Sequence, residues 1–530
     1  MPQRYDAVII GGGHNGLVAA AYLARAGRKV LALERRHVLG GAAVSEEVFP
    51  GFRFSVCSYV VSLLRPEIIR ELDLPRHGLE ILPLDGTFTP LEGDYLWRTN
   101  DHGQTRRELY RHSPRDAEAY DEYGRAMVQM ARFVKPILGM VPPDPLAFDP
   151  SGWAKLGGLL QRFRALPHAE RHNLVQLMTM SAADMLDQWF ETDALKATMS
   201  ASGIIGTFLG VRSPGTAYVL LHHYMGEIDG AFRAWGLVRG GTGSISLAIA
   251  GAAREAGVEI RTQAAVEHIK VRGGRVTGVV LQGGDEIEAP LVASSLDPHA
   301  TFLRLLEKGT LDDSFLDEVR RYKLRGSSGK VNLALDGLPD FTCLPGPGPH
   351  LHGAISISPS VEYMERAYDD AKYGDFSRRP YMDIVIPSLT DSTLAPPGKH
   401  VMSCFVQYAP YKLREGTWDE KREAFGDAVI DAVSRFAPNL KSRILHRQVV
   451  TPLDLEREWG LTEGNIFQGE LSLEQLFFLR PVPGFARYRT PLRGLYVCGS
   501  AAHPGGGIMG APGRLGALEM LKDWDRGRLA

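Results

Sequence analysis

Apolar positions along this chain follow two periods, and the switches between them lay out its elements. Ala7-Val8-Ile9-Ile10 is an unbroken apolar run, the pattern of a parallel strand buried on both faces. Ala20, Leu23 and Ala24 then recur at helical spacing, Gly27 supplies a stop, and Lys29 to Leu33 is a second strand-like run. Ser113-Pro114 opens a helix that the pattern carries to about Leu138, with Ser113 as its cap and Pro114 in the first turn. Trp153 to Phe163, His172 to Trp189 and Ile245 to Glu255 predict further helices. Short runs at Val258 to Arg261, Val266 to Ile269, Arg275 to Leu281 and Leu291 to Ser294 predict strands, with turns at Gly273-Gly274 and Gly283-Gly284. Beyond Thr301 the periods alternate, giving strands at Val331 to Leu335, Tyr381 to Ile386 and His400 to Gln407 and a helix at Trp418 to Phe436. Gly494 to Ser500 reads as a last strand and Leu515 to Trp524 as a last helix.

The first strand and helix are joined by Gly11, Gly13 and Gly16 in G-x-G-x-x-G spacing, and the second strand ends on Glu34. Strand, glycine turn, helix, strand and acid in this order form the dinucleotide-binding fingerprint. Gly11 allows the tight turn, Gly13 lets backbone approach a pyrophosphate, and Gly16 lets the helix pack on the strand. The helix N-terminus offers free N–H groups to the phosphates, and Glu34 is placed to accept from ribose hydroxyls. This pattern alone fits NAD or FAD. Six residues past Glu34, Gly40-Gly41 completes a spacing that resembles the extended motif of FAD-binding flavoproteins with two dinucleotide domains, which favours FAD. Gly240-Gly241-Thr242-Gly243 lacks the third glycine and the acid of a second fingerprint.

Composition narrows the picture by exclusion. At 530 residues the chain calls for two domains. Sixty basic and sixty-two acidic residues leave a formal charge of -2, so no nucleic-acid partner is expected. Cys57, Cys343, Cys404 and Cys498 form no C-x-x-C pair, which argues against a redox dithiol, a zinc site or a disulfide scaffold. No metal site is expected. With no signal peptide and no apolar run of membrane length, the expectation is a soluble protein, cytoplasmic in a bacterium, with the mitochondrial matrix an alternative in a eukaryotic relative. Lys155, Arg162 and Arg164 beside Trp153, Leu156, Leu159, Leu160 and Phe163 fit either weak contact with a membrane surface or a cap helix packed on its own domain.

The closing stretch GLYVCGSAAHPGGGIMGAPGR, Gly494 to Arg514, joins a strand, a glycine loop and a helix start, again aiming backbone N–H groups at an electron-rich ligand. Together with Gly11 to Gly41, and with GGAAVSEEVFPGF (Gly40 to Phe52), SLLRPEI (Ser62 to Ile68) and GNIFQGELSLEQLFFLRP (Gly464 to Pro481), it makes the whole chain resemble the phytoene desaturase-like family of carotenoid and retinoid oxidoreductases. The resemblance implies an α/β architecture: a Rossmann-like FAD-binding domain from residues 1–75, 225–300 and 465–530, and an α+β substrate domain on a mixed or antiparallel sheet from 76–224 and 301–464. It implies FAD contacts at Gly11, Gly13, His14, Asn15, Gly16, Glu34, Arg35, Gly40, Gly41, Ala42, Gly499, Ser500, Gly507, Gly510 and Ala511, and an adenine contact through the backbone of Val266.

The expected activity is removal of a hydride equivalent from a C–C or C–N bond of a largely apolar substrate. The partners are then a lipophilic or amine small molecule and an acceptor such as oxygen or a quinone. Flavin amine oxidation, flavin-dependent isomerisation and a flavin-bearing interaction protein with little turnover are the alternatives. Gly510-Ala511 would stabilise charge developing on the flavin through backbone N–H groups. His503 is the candidate for a base or polar contact beside the ring, against the alternative of a loop histidine bonded to backbone.

Overall fold

A computed structural model describes residues 3–147, 149–228, 231–232 and 235–529. Five parallel strands form its central sheet: β1 (Ala7–Ile10), β2 (Val30–Leu33), β3 (Glu259–Arg261), β4 (Leu291–Ser294) and β5 (Leu495–Val497). Their spatial order is β3-β2-β1-β4-β5, so the sheet draws on the beginning, the middle and the end of the chain. Alternation along each strand sorts the two faces. Ala7, Ile9, Val30, Ala32, Leu291 and Ala293 pack under three helices: α1 (His14–Arg25), α2 (Gly243–Glu255) and α3 (Ala511–Asp525). Val8, Ile10, Leu31, Leu33 and Val292 face a second layer containing Ile269, Val279, Ile287, Phe302 and Phe315. Covering both faces is what near-continuous apolar strands of a parallel sheet require.

The second half is built on seven strands in the order Ile444–Val450, Ser328–Leu335, His400–Gln407, Tyr381–Val385, Ala354–Ile357, Thr87–Pro90 and Tyr95–Arg98. All pairings are antiparallel except Ala354–Ile357 with Thr87–Pro90. One face carries Val331, Leu333, Ile355, Ile357, Met382, Ile384, Met402 and Cys404 against Phe425 and Val429 of the helix Trp418–Ser434. By the two-residue period, Lys330, Asn332, Ser356, Asp383, Ser403 and Phe405 lie on the opposite face. That polar face looks toward the site described below.

Element boundaries agree with the sequence expectation at one long helix and depart from it at two others. The predicted helix from Ser113 runs over Pro114–Leu138, capped by the Ser113 hydroxyl accepting from Asp116 N–H at 3.2 Å. The His172 to Trp189 pattern is two helices, His168–Thr179 and Ala182–Asp187, because Ser181 caps a new start and interrupts the first. The last helix begins at Ala511 rather than Leu515: Gly510 takes φ +70° and Pro512 occupies the first turn, so residues with a loop's composition are a helix start. Trp153 to Phe163 lies in the helix Pro150–Ala165, where only Gly152 is buried; Trp153 and Leu160 are exposed. Among the described residues no helix is long and apolar enough to cross a membrane, and no group of metal-ligating side chains gathers.

Candidate cofactor and substrate site

The glycines of the first turn each solve a contact. Gly11 has φ +99°, and a Cβ on it would stand 2.4 Å from Ser295 Oγ. A Cβ on Gly16 would stand 2.2 Å from the Gly11 carbonyl oxygen, so only glycine lets α1 start this close to β1. Gly13 differs: its Cβ would meet nothing nearer than 3.9 Å, and the space above it is an open cradle. Gly40 and Gly41 close the cradle's side. Gly40 N–H donates to the Gly12 carbonyl at 3.0 Å, and a Cβ on Gly41 would touch Gly13 Cα at 3.4 Å.

Glu34 locks this turn with both carboxylate oxygens, accepting from Gly12 N–H and Arg36 N–H at 2.8 Å each. Its backbone carbonyl accepts from Ala264 N–H at 2.8 Å, two residues before Val266 begins its strand, which brings Val266 to the Glu34 end. Arg35 points elsewhere. Its guanidinium donates to the carbonyls of Arg457 (3.2 Å) and Glu458 (2.6 Å), satisfying the end of the helix Pro452–Trp459 instead of reaching the glycine turn.

The end of the chain meets the beginning at α1. Asn15 Nδ2 donates to Ser500 Oγ at 3.0 Å. A Cβ on Gly513 would lie 2.1 Å from the Asn15 carbonyl oxygen, so the first turn of α3 presses on the first turn of α1 and their N-termini converge. Gly499 is equally tight, with a Cβ position 2.2 Å from the Ser295 carbonyl oxygen. His14, Ala42, Ser500 and Gly507 together line a small cavity of about 80 Å³. His14 Nε2, and Oδ1 of the next residue Asn15, are buried and have no partner among the described residues. Burial pushes the His14 imidazole down to about 4, so the ring is neutral at pH 7.

Tyr59, Val60, His223 and Trp235 line this cavity and also a larger one of about 840 Å³ between the two halves. The Tyr59 ring stacks on Phe405, with centroids 5.2 Å apart and planes at 13°, and its hydroxyl donates to Asp383 Oδ2 at 3.1 Å. The larger cavity is not uniformly apolar: Asp383, Arg98, Ser356 and Thr198 line it beside Tyr120, Tyr123, Met199 and Leu220. Burial raises the Asp383 pKa, opposed by hydroxyl hydrogen bonds and the Arg98 charge. On the far side of Tyr59, buried Lys330 donates to the carbonyls of Ser55 and Ser58, which fixes the backbone flanking the small cavity. Desolvation brings the Lys330 ammonium down to about 7.

His503 is buried, with Nε2 at 2.9 Å from the Ile137 carbonyl at the end of the helix Pro114–Leu138, and burial takes it down to about 4. It lines neither cavity, and its Nε2 is taken up by the helix end. Sequence reasoning missed the residues that shape the cavities. Arg480, fully buried, spans the phrase before the terminal block: it donates to the carbonyls of Glu470 (2.9 Å), Gly469 (3.1 Å) and Ser500 (2.9 Å), pinning the turn that carries Phe467 to the strand end that carries Ser500. Asp383 and Ser356 carried a readable signal, the polar positions alternating inside Met382-Asp383-Ile384 and Ile355-Ser356-Ile357. Tyr59 and His223 carried none.

Comparison with known proteins bears out the Rossmann-like fold. A model of the NAD(P)-binding Rossmann-like domain matches residues 9–70. A relative from Rattus norvegicus described as pyridine nucleotide-disulfide oxidoreductase domain-containing protein 2 is 43% identical over 99% of this chain and 94% of its own length. The lycopene-forming phytoene desaturase of Pantoea ananas is 24% identical over 97% of this chain and 99% of its own. Among solved structures, an oxidoreductase from Methanosarcina mazei superposes with a TM-score of 0.61 at 19% identity, covering 98% of this chain and 100% of the other, a likeness of fold.

Proposed function

The chain belongs to the phytoene desaturase-like oxidoreductases, in the family of pyridine nucleotide-disulfide oxidoreductase domain-containing protein 2, and on that premise we propose that it is an FAD-dependent oxidoreductase. The observation that carries the reading is the convergence of the first glycine turn, Gly40-Gly41 and the terminal glycine loop on the small cavity, which shares a wall with the large one. The residues fit the cofactor. The open cradle over Gly13 admits a pyrophosphate against the N-terminus of α1, and Glu34 stands at the ribose end near Val266. Asn15 Oδ1 is an unused acceptor for a ribityl hydroxyl, and His14 Nε2 is an unused contact beside it. Bound here, FAD would supply a hydride acceptor at its flavin end.

The chain's own part is to orient and to exclude water. Tyr59 on Phe405, and His223 on Trp235, form apolar walls between the cavities, and a substrate held in the larger one would present its C–H bond there. The first turn of α3, opening at Ala511, offers backbone N–H groups toward the terminal loop, where negative charge on the ring system would be stabilised. The reaction is dehydrogenation of a C–C or C–N bond of a substrate with a large apolar part, with electrons passing on to oxygen, a quinone or a similar acceptor. The C–N reading draws on Asp383, Arg98 and Ser356, which give the larger cavity a polar wall. Exposed Trp153 and Leu160, beside Lys155 and Arg162, would bring the protein weakly to a membrane surface where lipophilic substrates collect.

The test is purification followed by anaerobic titration. The protein should carry the yellow absorbance of oxidised flavin, and a polyene, fatty acid or amine that is a substrate should bleach it without oxygen. A colourless protein that takes up no added FAD refutes the reading.

A further inference from the structure

His223 stands where the two cavities share a wall, in the helix Thr216–Tyr224, with 3% of its surface exposed. Its Nδ1 lies 3.0 Å from the Val219 carbonyl one turn back, so Nδ1 carries the hydrogen and Nε2 is left with a lone pair. Among the described residues Nε2 has no hydrogen-bond partner. The ring cannot turn to find one. It stacks on Trp235, with centroids 6.2 Å apart and planes at 11°, and meets Phe467 edge-on at 6.1 Å. Phe467 is fixed in turn: its N–H donates to Asn465 Oδ1 at 3.0 Å, and Gly206 and Gly506 both crowd its ring. A buried acceptor held rigidly without a donor is costly in a folded protein unless a ligand or an ordered water supplies the donor. Among the described residues, His223 thus lines both cavities and carries an acceptor that no protein donor meets.

Resting on the proposed oxidoreductase reading, we propose that His223 Nε2 accepts the X–H hydrogen of a substrate whose oxidisable carbon bears an amine or hydroxyl group. That assigns the substrate class as an amine or alcohol with a large apolar part, in preference to a pure hydrocarbon. In the step, the C–H hydrogen leaves with its bonding electron pair toward the flavin, and the X–H proton passes to Nε2. The two electrons of the X–H bond become the second bond between carbon and X, so the substrate loses two hydrogens and two electrons. The Val219 and Ser202 carbonyls both favour the protonated ring against the desolvation that takes it down to about 4, so the proton is held only in passing. His222, whose ring centroid lies 5.4 Å away, is itself pushed down to about 3 and stays neutral beside it.

The experiment compares the parent with His223→Phe, which keeps a ring between Trp235 and Phe467 but has no acceptor, and His223→Gln, which restores a carbonyl acceptor. Decylamine, 1-decanol and decane are titrated by calorimetry, which needs no redox activity, and flavin content is measured on the same samples. The parent should bind the amine or the alcohol about tenfold more tightly than decane, the difference expected of one hydrogen bond in a dry site. His223→Phe should lose that preference, and His223→Gln should recover most of it. A parent that binds all three probes alike, or none, overturns the proposal, as does a preference that survives in His223→Phe. A parent devoid of flavin overturns instead the oxidoreductase reading on which the proposal rests.

Discussion

Replacing Arg480 by methionine keeps most of the side-chain volume and removes a charge buried without a carboxylate against it. The guanidinium is bonded to carbonyls alone, over the Tyr322 ring at 5.7 Å. Of its strongest acceptors, Glu470 keeps a second donor in Gln475 Nε2 at 3.3 Å, whereas Gly469 and Ser500 lose theirs. Two buried carbonyls left unpaired cost about 1–3 kcal/mol each. Part of that is offset because a guanidinium no longer has to be desolvated. A net loss of about 3 kcal/mol follows, which for a chain of 530 residues, at about 2.1 cal/mol/K of unfolding entropy per residue, lowers Tm by roughly 3 °C. Because Ser500 and Gly507 belong to the small cavity, cofactor retention should fall along with Tm. Thermal unfolding by circular dichroism, with flavin absorbance read after desalting, measures both. Arg480→Lys, with three donors on one nitrogen, should recover about half the loss. An Arg480→Met protein that melts within about 1 °C of the parent and keeps its cofactor refutes the reasoning.

Other perturbations test separate parts of the construction. Glu34→Arg removes two charge-assisted hydrogen bonds that order the glycine turn, each contributing about 1.5–3 kcal/mol, so FAD affinity measured by fluorescence titration should drop at least tenfold; undiminished affinity would count against the cradle. Gly513→Val drives a Cβ into the Asn15 carbonyl and should cost about 1–3 kcal/mol with loss of cofactor. Gly157→Ala, in an exposed helix with nothing within 4 Å, should raise stability by about 0.5–1 kcal/mol; equal melting of the two variants would sink the packing account. His14, His223 and His503 are held near 4 and His222 near 3 by burial, below the ordinary value near 6.5. The unfolded chain therefore binds more protons between those limits, so stability is full above pH 6.5 and falls as pH drops toward 4, by up to roughly 3 kcal/mol per ring. A denaturant midpoint that stays level from pH 7 to pH 4.5 would contradict this.

The parallel sheet and its glycine turn were legible because their determinants are local: a run of apolar residues, a spacing of glycines and an acid at a strand end. Each of these constrains backbone, and backbone constraints show in sequence. The two glycine segments that meet in the small cavity were readable for the same reason, although only the fold brings Gly513 onto Asn15. Side-chain direction is not local. His503 drew attention as a titratable group inside a glycine loop, yet its ring is claimed by the Ile137 carbonyl of a helix more than three hundred residues earlier. Arg35 sits beside Glu34 in sequence but answers to the end of another helix. Tyr59 and His223 come from separate segments of ordinary composition, and only the docking of two sheets makes them neighbours. Arg480 lay in a phrase that marked the family, but nothing in that phrase says that carbonyl oxygens alone would surround it.

The strand order of the central sheet also governs how the protein is made. During synthesis the chain emerges with β1, α1 and β2 first, and the antiparallel half follows before β5 and α3 exist. Until Leu495–Val497 and Ala511–Asp525 emerge, one edge of β4 and one flank of α1 stay uncovered, and the N–H groups opening α1 have no Ser500 beside them. Those surfaces are apolar and sticky in the interval, a situation in which nascent chains depend on holding factors. A chain stalled before Gly499 would carry the complete nucleotide fingerprint without the Ser500 hydroxyl that Asn15 Nδ2 meets. The junction that would hold a nucleotide is thus built from the earliest and the latest parts of the polypeptide.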